Sequence, residues 1–312
     1  MNRLAKWMSV LLTSVLVFAL AACSGPTKSD DGKLTIGLAL GTLNNPFFVS
    51  MAKGVKEAAK KYNAEVLVEG ADYDLAKQTK QIEDFITKNV DLILLNAADS
   101  KGIAGAVQQA KAAGIPIVAI DVAAEGGVDA TVTSDNYQCG VLAGQYIAKR
   151  LNGKGNIIVI DGPPVTSIMD RVQGFKDAIK NSNIKIVAQQ NGEAVRDKAQ
   201  TVAENVLQAH PKGTVNAVFG INDPTALGVA TAAQQANRND FFIVGVDGAP
   251  DAVTALKEKK LFAATVAQYP AEMVKTAVDA GIKLVKGQKV DKVIKVPVKL
   301  ITQENVNQYK GW

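Results

Sequence analysis

The chain has 312 residues, 47% of them hydrophobic, 21% charged and 5% aromatic, a composition that excludes a disordered, collagen-like or coiled-coil protein. At roughly 100–200 residues per domain, this length predicts two domains, each able to bury its own core. The 35 basic and 30 acidic residues leave a net charge of +5, and no Lys/Arg-rich run concentrates it, so no nucleic-acid partner is expected.

Residues 1–22 have the pattern of a secretory leader. Arg3 and Lys6 supply positive charge, residues 7–20 an apolar stretch, and Leu20-Ala21-Ala22 a small-residue close before Cys23. The ending resembles a lipobox, which implies cleavage before Cys23 and acylation of its new N-terminus, with palmitate among the attached chains. A transmembrane anchor is the alternative, but the apolar run is shorter than the ~20 residues a spanning helix needs. Loss of Arg3 and Lys6 lowers the charge from +5 to +3. Residues 23–33 then form the lipid anchor and a polar tether (SGPTKSDDGK from Ser24). Cys139, the other cysteine, sits in an apolar pattern and reads as a small core residue.

From Leu34 onward, short β-rich runs alternate with longer helical patterns. Strands are predicted at 34–40 (LTIGLAL), 65–69 (EVLVE), 91–95 (DLILL), 116–120 (PIVAI) and 130–134 (ATVTS). Their near-continuous apolar character suits a parallel sheet buried on both faces. Helices are predicted at 46–62, 75–88 and 101–113, where apolar residues recur every three or four positions. After the turn signal Asn152-Gly-Lys-Gly155 the rhythm restarts, with strands at 156–160, 184–189, 217–220 and 242–246, each followed by a helical stretch. A strand at 263–267, a helix at 271–286 and one last strand at 295–301 (KVPVKLI) complete the chain. The expected architecture is α/β, two similar doubly wound halves.

Such sheets present ligands at the C-terminal ends of their strands. Asn44-Asn45-Pro46, Asn96, Asp121, Asp161, Asn222-Asp223 and Asp247 all stand at such ends. Each is explained singly as a helix cap, but several in register point to a shared polar cleft. Catalytic patterns are thin: His210 is the one histidine, and it falls at an expected helix-end turn. A zinc site is not expected without a Cys/His cluster, and no G-x-G-x-x-G or P-loop spacing follows a strand. Asp121 and Asp247 as a glycosidase acid–base pair is a minor alternative. No metal, no cofactor and no enzyme activity are expected.

Thr42-Leu-Asn-Asn-Pro-Phe-Phe-Val-Ser50, Thr133-Ser-Asp-Asn136, Asp170-Arg-Val-Gln-Gly-Phe175, Phe219-Gly-Ile-Asn-Asp223, Val244-Gly-Val-Asp-Gly248 and Thr265-Val-Ala-Gln268 resemble the ribose-binding group of bacterial periplasmic solute-binding proteins. The resemblance implies the type I periplasmic-binding-protein fold: two Rossmann-like lobes, 34–133 plus 269–293 and 136–266 plus 294–312. Three hinge crossings would join them, near 133–135, 266–268 and 292–297. It implies a sugar between closing lobes, delivered to an ABC permease and its ATPase by a monomer. It carries a sugar-binding role onto Asn45, Phe47, Phe48, Asp121, Arg171, Asn222, Asp247 and Gln268.

The chemistry of these residues suits that use: aromatic faces take C–H surfaces, while carboxylates, amides and a guanidinium take hydroxyls. Asp223 reads as a helix cap. The chain departs from the ribose pattern at three pocket-shaping positions. Val122 stands where those binders resemble one another in an arginine, and Ala194 and Val246 stand where they carry aromatics. The expected ligand is therefore a hexose, branched sugar or polyol, with D-ribose not optimal. The expected location is the cell envelope, lipid-anchored and facing the periplasm or the exterior. A sensor presenting sugar to a chemoreceptor or kinase is the alternative function. A LacI-type regulator fits poorly because the leader occupies the place of a DNA-binding helix-turn-helix.

Overall fold

The computed structural model describes residues 33–312; the expected leader, Cys23 and most of the tether lie outside the described residues. The first half alternates β1 (Leu34–Leu40), α1 (Pro46–Lys60), β2 (Ala64–Gly70), α2 (Leu75–Thr87), β3 (Leu92–Leu95), α3 (Ala104–Ala112), β4 (Ile117–Ile120) and β5 (Ala130–Ser134). The second contains α4 (Asn136–Arg150), β6 (Lys154–Asp161), α5 (Thr166–Ile179), β7 (Asn183–Asn191), α6 (Arg196–Ala209), β8 (Ala217–Gly220), α7 (Asp223–Gln235), β9 (Phe242–Asp247), α8 (Pro250–Lys257) and β10 (Phe262–Ala267). Helix α9 (Pro270–Val285), strands β11 (Val293–Val296) and β12 (Lys299–Thr302) and a 3-10 turn at Val306–Gln308 follow.

These strands form two six-stranded sheets of matching order, β11-β5-β4-β3-β1-β2 and β12-β10-β9-β8-β6-β7. Every residue of β3, β4, β8, β9 and β10 is buried, as expected of parallel strands covered by helices on both faces. Helix α9 returns to the first sheet, against α1 and β3 to β5, while α4 packs on β9, β10 and β12 of the second. The chain thus passes between the sheets after β5, after β10 and after β11.

The end of the chain differs from the sequence-based expectation. The single strand expected at 295–301 is two strands on different sheets, broken at Pro297, which has no N–H to continue a ladder. Ile294, Lys295 and Val296 pair in parallel with Val132, Thr133 and Ser134. These three residues therefore lie on the first sheet, not in the C-terminal lobe to which 294–312 were assigned. The second sheet is also not wholly parallel, since β12 runs antiparallel to β10.

Local chemistry places the helices that carry the site. Asn45 caps α1, its Oδ1 accepting from the Phe47 N–H at 2.9 Å, with Pro46 pre-set for the first turn. Helices α4 and α5 touch backbone to backbone: a Cβ on Gly140 would stand 2.0 Å from the Arg171 carbonyl oxygen, and one on Gly174 would stand 2.1 Å from that of Tyr137. This approach seats Arg171 beside the start of α4, where its Nε donates to Asn136 Oδ1 at 2.9 Å. Gly174→Ala should therefore lower the calorimetric melting temperature by several degrees, from overpacking of about 1–3 kcal/mol. An unchanged melt would show that the two helices separate without cost.

Candidate functional site

The C-terminal ends of the two sheets face one another across a narrow cavity. It is lined by Asn45, Phe47, Phe48, Asp121, Val122, Arg171, Ala194, Asn222, Asp247 and Gln268, all ten of them predicted from sequence. Val246 is the exception. It is fully buried in the hydrophobic core and does not line the cavity. Residues alternate sides along a strand, so presenting Asp247 to the cavity turns Val246 away.

Two aromatic rings form one wall: Phe47 and Phe48 lie edge to face, centroids 5.6 Å apart. Two carboxylates and one guanidinium line the same cavity. Asp121 leaves β4 with φ 67°, a left-handed conformation that Asp tolerates, and Asp247 ends β9 at φ 133°. The latter is a sparsely populated region costing about 1–3 kcal/mol. Asn96 Nδ2 donates to Asp121 Oδ2 at 3.2 Å, and Gln268 Nε2 donates to Asp247 Oδ1 at 2.7 Å. Arg171 donates to the Ile221 carbonyl at 3.2 Å and stands 3.9 Å from Asp247 Oδ1. Asp121, Arg171 and Asp247 are each at most 4% exposed.

Two acceptors in this buried set, Asp121 Oδ1 and Gln268 Oε1, have no hydrogen-bond partner. Unpaired buried acceptors are costly, and these two belong to residues that line the cavity. Burial also pushes both carboxyls up, Asp121 to about 6 and Asp247 to about 7, against the pull of Arg171.

The cavity is shut by contacts between the two halves. The Ala123 N–H donates to Thr166 Oγ1 at 2.8 Å, and the Thr166 N–H to Ser100 Oγ at 3.2 Å.

Some strand-end residues serve the walls instead. Asn222 lines the cavity and also caps α7, accepting from the Thr225 N–H and donating to the Ala194 carbonyl, both at 2.9 Å. Asp223, expected as the cap, is instead fully buried, taking the Thr265 hydroxyl at 2.7 Å and the Ala249 N–H at 2.8 Å. It thereby fixes the turn that carries Asp247. Asp161 does not line the cavity and accepts from Gln189 Nε2 at 2.6 Å. Cys139 is buried, and burial pushes its thiol up to about 12, consistent with a core role.

Sequence reasoning left Tyr73, Asn96, Ala97, Val165, Ser167 and Ile168 out of the site, and all six line the cavity. Tyr73 follows β2 and Ala97 follows β3, within reach of the strand-end rule, whereas Val165, Ser167 and Ile168 stand at the start of α5, beyond it. Asn96 was itself one of the strand-end residues.

The match to known proteins agrees with this architecture. The family model for the periplasmic binding protein domain matches residues 36–289. A ribose import binding protein of Bacillus subtilis (strain 168) is 40% identical over 309 residues, covering 96% of this chain and 99% of that protein. A solute binding protein of Actinobacillus succinogenes 130z, solved with bound D-allose, superposes with TM-score 0.82 at 30% identity, over 88% of this chain and 100% of that one. One from Bacillus halodurans C-125, with bound myo-inositol, gives TM-score 0.83 at 31% identity over 91% and 99%. The chain belongs to the periplasmic binding protein family. It has the type I fold of the sugar-binding members, which are extracytoplasmic binding components of transport systems and not enzymes.

Two predictions test the site. Arg171→Ala and Asp121→Ala should each weaken ligand binding about 10- to 100-fold, the worth of about 1.5–3 kcal/mol for a buried charge-assisted hydrogen bond. Calorimetry showing unchanged affinity in both would remove them from the site. Ligand hydroxyls that donate to these carboxylates favour the ionised form. Affinity should therefore fall several-fold from about pH 8 to about pH 5.5, with proton release on binding near neutrality. For the closed form without ligand the sign is opposite. Its raised carboxyls hold protons that the unfolded chain has lost, so their contribution to stability shrinks as pH rises from about 4 towards 7.

Proposed function

We propose that this chain is the solute-binding lipoprotein of an ABC-type sugar importer, taking a monosaccharide or related polyol between two closing lobes. The observation that carries the reading is the pair of buried, unpartnered acceptors, Asp121 Oδ1 and Gln268 Oε1, in a closed cavity walled by Phe47 and Phe48. A polyhydroxy ligand offers both missing things, O–H donors and apolar C–H faces for the rings. Contacts from both lobes form only on closure, so ligand shifts the population toward the closed form that a permease would recognise. Cys23 supplies the lipid anchor in this reading, holding the binding lobes at the membrane surface.

The ligand is larger than, or shaped differently from, a pentose. Val122 and Ala194 line the cavity with small side chains, where the ribose pattern has a guanidinium and an aromatic ring. The 40% identical relative is named for ribose, so ribose is the reading to beat. Thermal shift followed by calorimetry with D-ribose, D-allose, other hexoses and myo-inositol separates the two, because a ligand that binds only the native state raises its apparent stability. A hexose or polyol should bind more tightly than ribose. Sub-micromolar ribose binding with no tighter sugar would overturn the ligand assignment, and no response to any sugar would overturn the class.

A further inference from the structure

The segment that follows β12 returns to the back of the cavity. The Tyr309 hydroxyl donates to the Gly248 carbonyl at 3.2 Å, and Trp312 Nε1 donates to the Asp247 carbonyl at 2.8 Å. The Trp312 ring also meets Phe47 edge to face, with centroids 5.7 Å apart and planes at 83°. Trp312 does not line the cavity, yet it packs against the hydrophobic clusters of both sheets. Phe47 belongs to α1, against the first sheet, while Asp247 ends β9 of the second.

We infer that Trp312 is a positioning residue of the sugar site, bracing Phe47 on one lobe and the Asp247 peptide on the other so that both face the ligand in the closed cleft. The inference rests on the sugar-binding reading above. Asp247 holds an unfavourable φ of 133°, and its carbonyl is fixed by two donors, the Gln268 N–H at 2.9 Å and the indole N–H. Fixing that peptide plane fixes the direction in which the Asp247 carboxylate leaves the strand. The edge-to-face contact likewise sets the tilt of the Phe47 ring, whose other edge-to-face neighbour is Phe48. Because one indole touches both lobes, its contacts favour the closed form and slow ligand release.

The sequence contains two tryptophans, Trp7 and Trp312, and Trp7 falls in the proposed leader, so the mature chain from Cys23 is a parent with Trp312 as its sole indole and a local fluorescence reporter. In that parent, the tightest sugar of the panel should shift Trp312 emission on binding. Trp312→Ala should weaken affinity about tenfold or more, chiefly through faster dissociation, with little change in the ligand-free melt. Trp312→Phe keeps a ring beside Phe47 without the N–H for Asp247, and should fall between. Affinity within about twofold of the parent in both variants, or a loss that only tracks lower ligand-free stability, overturns the inference while leaving the sugar site standing. A parent that binds no sugar overturns the site reading and this one with it.

Discussion

Two carboxylates held out of water beside a single guanidinium set the terms for the rest of this structure. Asp121, Asp247 and Arg171 are almost fully buried, and Arg171 stands 3.9 Å from the nearer carboxylate oxygen without a close pairing. Burying such charges costs several kcal/mol per ion unless polar partners compensate. The surrounding residues are arranged as those partners: Asn96 on Asp121, Gln268 on Asp247, Asn136 and the Ile221 carbonyl on Arg171. The compensation stops short by two acceptors that line the cavity, Asp121 Oδ1 and Gln268 Oε1.

The same geometry explains why the fold is built twice. Both sheets have one strand order, and β4 and β9 occupy equivalent places in them. Asp121 and Asp247 are thus counterparts, each leaving its strand at positive φ to turn a carboxylate toward the cleft. Asn96 and Asn222 follow the equivalent strands β3 and β8. The repeat breaks only at the edges, where β11 is parallel and β12 antiparallel to its neighbour. That break is required by connection. Strands of both sheets run toward the cleft, so a chain leaving the first sheet at Val296 and crossing by Pro297 enters the second from the cleft side. It must then run against β10.

Most of this was legible in the sequence because it rests on local signals. Buried parallel strands read as apolar runs, and polar residues at their C-terminal ends point to the cleft, which located Asp121, Asn222 and Asp247. The family pattern added Arg171, whose position on α5 no strand-end rule reaches. Three failures share a physical cause, dependence on tertiary register. Val246 was given a pocket role by pattern, but strand alternation turns it into the core. Asp223 looked like a cap, yet the cap is Asn222, and Asp223 is drawn inside by Thr265, forty-two residues on. The run at 295–301 looked continuous because apolar character carries across Pro297, and nothing local shows that its halves pair with different sheets.

The departures from the ribose pattern bear on charge as well as on space. A guanidinium at position 122 would have balanced the second carboxylate; Val122 leaves two acids to one base, and Asp223, also buried, adds to the acidic side beside Asp247. Burial is what raises both carboxyls toward neutrality, and at Asp247 the Asp121 charge adds to it. A cavity so constituted leaves two buried acceptors unpaired, and it is matched by a ligand with hydroxyls to donate to them. An additional hydroxyl directed at Asp121 Oδ1 or Gln268 Oε1 contributes where an additional ether or carbonyl oxygen would not. On the proposed reading, selectivity among sugars of similar volume then follows the number and direction of O–H groups reaching those two oxygens, with Phe47 and Phe48 fixing the plane in which the ring must lie.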